Sequence, residues 1–176
     1  ITMFINKAHS MSMEHIKNLA LLLLGWIFLI NPSLAEEQQD IEKIKTLYSN
    51  WKIAVESSDI DSYLSSLHED IRLRPPAGDS VDGIENYRSF LGPVFSSATY
   101  QIQIDKPPVV TIFGNTAIAE YDYTIQRSEF KNANIKLRKG ALTESVSPSS
   151  YVDFLRKRDN GSWSVYLHTW RAQPEK

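Results

Sequence analysis

The periodicity of apolar residues changes once along this chain, near residue 100, and that change constrains the fold more than any other feature. Before it, apolar residues recur every three or four positions, which is the spacing of one helix face. Three such stretches occur, at Ile41–Val55, Ile60–Leu67 and Ile84–Leu91. After it, apolar and polar residues alternate, as in strands with one buried face. The sequence predicts an α+β fold, with three N-terminal helices packed on a curved antiparallel sheet.

Turn and cap residues mark the boundaries of these elements. Asp59 has the position of a cap for the second helix, and Gly92-Pro93 is expected to end the third. Gly114-Asn115 and Asp159–Ser162 are typical of hairpin turns. The polar segment 128–149 fits either a flexible excursion or an extension of its two neighbouring strands.

Residues 1–35 have the pattern of a signal peptide. A basic start containing Lys17 is followed by an uncharged stretch, Leu19–Ile30, and by the small residues Ser33 and Ala35. The alternative is a membrane anchor, but the stretch is shorter than the roughly 20 residues that cross a bilayer. We therefore expect cleavage after Ala35, a periplasmic or secreted protein, and no stable membrane span afterwards. The first twelve residues carry no targeting pattern and suggest an over-extended gene start.

The remaining residues, 36–176, are predicted to form a single domain held together by packing alone, because the chain has no cysteine. Removing residues 1–35 takes away two lysines and one glutamate, so the formal charge moves from −2 to −3. No basic run is present, which argues against a nucleic-acid partner. His68-Glu69-Asp70 point in different directions and do not predict a metal site. No phosphate-binding glycine motif is present either, so no cofactor is expected.

Several local sequences resemble those of SnoaL-like proteins, within the nuclear transport factor 2-like superfamily. They are Ser58-Asp59-Ile60-Asp61, Leu67-His68-Glu69-Asp70, Pro75-Pro76-Ala77-Gly78 and the closing stretch Tyr151–Val165 with its Asp-Asn-Gly turn. The resemblance covers about residues 41–126 and 150–171, and implies a cone with a pocket between helices and sheet. It also implies a homodimer through the convex sheet face.

The ketosteroid isomerases of this superfamily offer a specific test of chemistry. At their three catalytic positions this chain has Trp51 in place of a tyrosine, Pro75 in place of the general base, and Asp153 as the third carboxylic acid. Proline cannot accept a proton, so the resemblance does not extend to steroid isomerase chemistry.

The final hairpin predicts a pair of polar residues. With a four-residue turn at 159–162, Asp153 lies opposite His168, Leu155 opposite Tyr166, and Val152 opposite Thr169. Alternation then places Asp153, Leu155, Tyr166, His168 and Trp170 on one face of the sheet. The resemblance implies that this is the concave face, towards the helices. A carboxylate beside an imidazole fixes its tautomer and prepares a general base or a polar anchor. The alternative is a structural hydrogen bond near the sheet edge.

Aromatic residues on several elements predict the walls of the pocket. Such residues give a large apolar area with one hydrogen-bonding group, although the same side chains could simply fill the core. The predicted ligand-binding set is Trp51, Tyr87, Tyr121, Tyr123 and Trp170.

Three functions are compatible with this sequence. The leading interpretation is an exported domain that binds a small, largely apolar or aromatic molecule. The second is a proton-transfer isomerase, dehydratase or cyclase with His168 and Asp153 as catalytic residues. The third is an oligomerisation module, because the domain also resembles calcium/calmodulin-dependent kinase association domains.

Overall fold

The computed structural model describes residues 32–128 and 135–173. Within these ranges the chain forms three helices and six strands, which are α1 Pro32–Ser57, α2 Ile60–Ser65, β1 Leu67–Arg74, β2 Val81–Asp82, α3 Ile84–Ser97, β3 Thr99–Phe113, β4 Thr116–Ser128, β5 Val146–Lys157 and β6 Trp163–Ala172. None of these three helices is long and apolar enough to cross a membrane. Most of the predicted signal peptide lies outside the described residues.

The six strands form one sheet in the order β2-β1-β6-β5-β4-β3. All neighbours pair antiparallel except β1 and β6, which are parallel, so the predicted antiparallel sheet is confirmed for every pair but that one. The α+β class with helices against a curved sheet is confirmed. The helices are not three in succession, however, because β1 and β2 separate α2 from α3 and only α1 is long. Leu67, Ile71 and Leu73 are buried, which draws β1 into the sheet.

The first helix owes its position to one apolar face. Its buried residues lie at spacings of three and four, and each contributes about 2 kcal/mol through removal from water; they are Ile44, Tyr48, Trp51 and Val55. The helix ends at Ser57, where Ser58 adopts a positive φ of 56°. The Asp59 carboxylate then accepts the Ser62 amide at 3.1 Å, which confirms the predicted cap of α2.

The third helix continues past Gly92-Pro93 to Ser97, so the predicted end was wrong. Proline removes one hydrogen bond from a helix interior. Tertiary contacts compensate here, because Phe95 is buried and the Tyr100 hydroxyl donates to the Val94 carbonyl at 3.0 Å.

The β5–β6 pairing confirms Asp153 opposite His168 and Val152 opposite Thr169. A register shift between Phe154 and Leu155 pairs Leu155 with Val165, so the predicted Leu155–Tyr166 pair was wrong. The shift turns Tyr166 away from the helices, because a bulge re-aims the side chains beside it. The Tyr166 ring contacts two guanidinium groups instead, with Arg156 Cζ at 3.6 Å and Arg72 Cζ at 5.2 Å from its centroid.

The second of the two interpretations of the polar segment 128–149, an extension of its neighbouring strands, is confirmed at its end. Its end extends a strand, because β5 begins at Val146 and pairs there with Gln126 of β4. Residues 135–145 form neither helix nor strand, and Lys139 and Gly140 lie close to Pro75 and Gly78. Residues 129–134 lie outside the described residues.

Candidate functional site

The carboxylate of Asp153 is the centre of a buried hydrogen-bond network. Asp153 is 1% exposed. Its Oδ2 accepts the hydroxyl of Tyr48 at 2.7 Å and that of Tyr121 at 3.0 Å, while its Oδ1 lies 2.7 Å from His168 Nδ1. A buried carboxylate is costly unless it is hydrogen-bonded, and three groups from α1, β4 and β6 provide those bonds here.

The two phenols stay protonated over the ordinary pH range. Burial, followed by the neighbouring charge of Asp153, raises the pKa of Tyr48 and of Tyr121 well above the usual value of 10.0. Both hydroxyls therefore remain donors to the Asp153 carboxylate.

The Asp153 contact assigns the tautomer of His168. Carboxylate Oδ1 accepts a hydrogen bond, so the proton of a neutral ring lies on Nδ1. This leaves Nε2 as the nitrogen with a free lone pair. His168 is also stacked 5.6 Å from Tyr151 and lies 5.5 Å from Trp170, measured between ring centroids. The ring is thus held in one orientation and one tautomer.

His168 lines an apolar cavity of about 90 Å³ between the sheet and the helices. The walls are mostly aromatic, and none of the described residues that line them is an aspartate, glutamate, lysine or arginine. The described lining residues are Trp51, Val55, Tyr63, Leu73, Tyr87, Phe90, Leu91, Val94, Phe95, Tyr100, Ile125, Gly140, Ala141, Leu142, Tyr151, His168 and Trp170. The volume is smaller than the roughly 150 Å³ of an apolar cavity that admits benzene. A ligand would therefore need a modest outward movement of the wall.

The structure brings four of the seven predicted site residues to this cavity, namely Trp51, Tyr87, His168 and Trp170. The other three are Asp153, Tyr121 and Tyr123, and they lie behind the wall. Asp153 and Tyr121 adjoin a separate void of about 10 Å³. Tyr123 packs against Trp51 at 5.9 Å and against Tyr121 at 4.7 Å between centroids. Tyr121 and Tyr123 thus support the site from the core and do not face the cavity.

Four tyrosines of the site were missed by sequence reasoning. Tyr48 holds Asp153, and Tyr63, Tyr100 and Tyr151 line the cavity. Two of them carried a readable signal. Tyr48 lies three residues before Trp51 on the same helix face, and Tyr151 lies two residues before Asp153 on the same strand face. Tyr63 carried none, because its position depends on how α2 packs.

A loop from the polar segment closes one side of the cavity. Gly140, Ala141 and Leu142 line it, and Gly140 has a positive φ of 98°. A Cβ on Gly140 would lie 2.8 Å from Pro75 Cβ, and a Cβ on Gly78 would lie 2.6 Å from Gly140 Cα. Two glycines therefore allow this loop to approach the loop after β1 and cover the cavity.

In residues 32–128 and 135–173, no three histidine, aspartate or glutamate side chains are grouped so that they could hold a metal ion. His68 instead accepts the Asp70 amide through Nδ1 at 3.0 Å and packs edge-on against Tyr166.

Comparison with known proteins identifies the fold. No family model matches the sequence, and no curated protein matches it either. Among solved structures, a nuclear transport factor 2-like superfamily protein from Salmonella enterica matches with a TM-score of 0.64 at 14% identity, covering 80% of this chain and 95% of that one. The chain has the nuclear transport factor 2-like fold. The resemblance seen in the sequence is therefore confirmed at the level of fold.

Two further matches have names that suggest different functions. A protein from Novosphingobium aromaticivorans named as a candidate scytalone dehydratase has a TM-score of 0.65 at 10% identity, covering 80% of this chain and 89% of that one. A candidate calcium/calmodulin dependent protein kinase II association domain from Xanthomonas campestris has a TM-score of 0.57 at 18% identity, covering 76% and 87%. One fold thus hosts unrelated functions, and function must be argued from the site.

Proposed function

We propose that this protein binds a small, largely apolar or aromatic molecule in the cavity, with His168 as its polar anchor. The observation that carries the proposal is a buried imidazole, fixed by Asp153 at 2.7 Å, in the wall of an otherwise apolar and aromatic cavity. Binding sites for small molecules commonly combine apolar walls with a few positioned polar groups.

A cavity-filling variant tests this proposal. Val94→Trp places an indole in the lining, whereas Ile53→Trp places one on an exposed part of α1 and serves as control. In a thermal-shift screen of small aromatic compounds, we expect hits with the parent and with Ile53→Trp that disappear in Val94→Trp. Equal stabilisation of all three proteins would contradict the proposal, provided that each shows the parent circular dichroism.

A second proposed function is proton transfer, favoured by the Asp153–His168 geometry. The free Nε2 of His168 can accept a proton from a bound substrate, and the Asp153 carboxylate stabilises the resulting imidazolium. The catalytic roles of His168 and Asp153 remain predictions, and dehydratase, isomerase and cyclase chemistry all use such a step. The comparison with a candidate scytalone dehydratase supports this class through fold alone.

A single variant distinguishes ligand binding from catalysis. His168→Gln keeps a polar side chain of similar reach but cannot take up a proton. If the protein is an enzyme, turnover of a screened substrate falls at least ~100-fold while its dissociation constant changes little. If the protein only binds, affinity changes and no turnover is found in either form.

Export is also proposed, on the basis of the signal-peptide pattern in residues 1–35. Residues 33–39 of α1 have exposed side chains and the first buried one is Asp40, so cleavage after Ala35 removes no described core residue. Mass spectrometry of the protein from its host is expected to give an N-terminus at Glu36 and a periplasmic or secreted location. Recovery of uncleaved protein from the cytoplasm would exclude export.

A homodimer through the outer sheet face is proposed as well. Apolar side chains form a row across three central strands, where Ile118 pairs with Phe154 and Phe154 with Leu167. Phe154 is 45% exposed, and Lys106, Glu120, Asp122 and Arg171 line a neighbouring groove with both charge signs. A face with both signs can complement itself across a two-fold axis. Sedimentation is expected to show a dimer for the parent and a monomer for Phe154→Asp.

A further inference from the structure

Some polar groups around the cavity have hydrogen-bond donors or acceptors that no neighbouring residue uses. These groups specify the ligand more closely than the apolar character of the cavity walls does. Tyr63 and Tyr87 hydroxyl oxygens lie 3.0 Å apart and are buried. Two hydroxyls carry two protons, but one contact between them uses only one. Trp51 is the other polar neighbour of Tyr63, and an indole N–H can only donate. The second phenolic proton therefore has no acceptor among these residues.

This proton stays in place at ordinary pH. Burial, partly offset by hydrogen bonds from Tyr87 and Trp51, raises the pKa of Tyr63 to about 12. Burial, followed by the proximity of Tyr63, raises the pKa of Tyr87 well above its usual value. Tyr63 and Tyr87 both line the cavity, which brings the unused proton near an acceptor atom of a bound molecule.

His168 presents the opposite requirement. Its Nδ1 proton goes to Asp153, so Nε2 needs a donor. The tyrosine pair thus offers a free donor and the histidine a free acceptor. A hydroxyl group satisfies both needs, because its proton can be donated and its oxygen can accept. The buried hydroxyl of Tyr151, a third lining residue, also has no hydrogen-bond partner among the described residues.

The charge, the aromatic walls and the volume of the cavity restrict the class of ligand further. Within residues 32–128 and 135–173, the lining has no carboxylate, lysine or arginine, so burying an unpaired ion there would be costly. Eight of the lining residues are aromatic, and contacts between aromatic rings add to area burial. A volume of about 90 Å³ favours one ring over several fused rings.

We infer that the ligand is an uncharged single-ring hydroxyaromatic, whose hydroxyl donates its proton to His168 Nε2 and whose hydroxyl oxygen accepts a hydrogen bond from the Tyr63–Tyr87 pair. This inference rests on the proposed binding function and adds the ligand class. It applies to a bound ligand or to a substrate.

Phenol and toluene test the inference, because they have the same number of non-hydrogen atoms and differ in the hydroxyl. Titration followed by NMR is expected to give phenol at least ~10-fold tighter binding than toluene, which corresponds to about one hydrogen bond. Benzoate, the anionic probe, is expected to bind more weakly than phenol.

The matched variant is Tyr63→Phe/Tyr87→Phe, which removes both hydroxyls and keeps both rings. Its preference for phenol over toluene is expected to fall to within about threefold, with toluene affinity retained. Tyr166→Phe removes a hydroxyl on the outer face and is expected to keep the full preference. Thermal unfolding of each variant checks that it folds.

The outcomes separate the inference from the function on which it rests. If phenol and toluene bind equally to the parent, or if benzoate binds more tightly than phenol, the hydroxyaromatic class is wrong and binding in an apolar cavity stands. If none of the three compounds binds, the proposed function itself fails. If the double variant keeps the full phenol preference, the tyrosine pair is not the donor.

Discussion

At the scale of single residues, Asp153 determines which nitrogen of His168 is available to a ligand. Its two oxygens have different partners, since Oδ2 accepts hydrogen bonds from the hydroxyls of Tyr48 and Tyr121, and Oδ1 faces His168 Nδ1. Asp153→Asn keeps an oxygen for Tyr48 and Tyr121 but turns an amide donor towards the imidazole. We expect His168 to switch to the Nε2–H tautomer, because Nδ1 must then accept.

Nitrogen NMR of labelled histidine reports this switch directly, through the shifts of the two ring nitrogens. Asp122→Asn, on the other face of the sheet, is the matched control and is expected to leave the His168 signals unchanged. We also expect Asp153→Asn to lower the free energy of unfolding by about 2 kcal/mol, since hydrogen bonds to a buried charge weaken. An unchanged tautomer in Asp153→Asn would show that the carboxylate does not orient the ring.

At the scale of elements, the loop around Gly140 determines how closed the cavity is. Gly140→Ala adds a methyl group that meets Pro75 at 2.8 Å, in a residue whose φ is 98°. We expect the loop to shift outwards, with faster dissociation of a bound aromatic ligand and a loss of about 1–2 kcal/mol in stability. Stopped-flow dissociation and urea unfolding measure the two effects.

Gly114→Ala supplies the control for that experiment. Gly114 also has a positive φ, 61°, but it lies in the β3–β4 turn and no atom lies within 4 Å of its added Cβ. Its substitution is expected to reduce stability by a similar strain and to leave ligand dissociation unchanged. Equal dissociation rates in both variants would mean that the Gly140 loop does not cover the ligand.

At the scale of elements, the sequence predicted the features that depend on local pattern and missed those that depend on packing between elements. Periodicity and hairpin register placed Asp153 opposite His168, because alternation and a four-residue turn are local properties. The register shift beside Leu155 has no local signal, so Tyr166 was assigned to the wrong face. The cavity wall depends on α2, α3 and the Gly140 loop meeting in space, and periodicity carries no information about such contacts.

At the scale of the whole molecule, one buried carboxylate ties α1 to the final hairpin. Asp40 is 3% exposed and lies 2.7 Å from Lys157 of β5 and 3.1 Å from Lys43. Burial raises its pKa, but hydrogen bonds from Lys157, Trp163 and Lys43 together outweigh burial and leave the pKa below 3.8. The stabilisation is therefore present above about pH 4 and is lost as the pH falls through the folded-state pKa.

We expect Asp40→Asn to reduce the free energy of unfolding by about 2 kcal/mol at neutral pH. The difference from the parent protein should shrink below about pH 4, because the parent then loses the same charge. Urea unfolding over this pH range tests the expectation, with the exposed Asp79→Asn as control. A difference that persists unchanged at low pH would contradict a role for the Asp40 charge.

The buried tyrosines determine how the stability of the folded protein falls at alkaline pH. Burial is the main cause that raises the pKa of six of the eight, namely Tyr48, Tyr63, Tyr87, Tyr121, Tyr123 and Tyr151. Because the folded state favours the neutral phenols, their stabilisation is complete below pH 10.0 and is lost as the pH rises further. Ionisation of these six phenols should therefore accompany unfolding.

Tyrosinate absorbance and far-ultraviolet circular dichroism, followed together in an alkaline titration, test that coupling. We expect most of the absorbance change to coincide with loss of the helical signal, whereas in concentrated guanidinium all eight tyrosines ionise near pH 10.0. Full ionisation while the protein keeps its native dichroism would show that the phenols are accessible. In that case the aromatic core around Asp153 and the Tyr63–Tyr87 pair is not closed. The inferred tautomer of His168 and the inferred ligand class, which both depend on that closed core, would then be wrong as well.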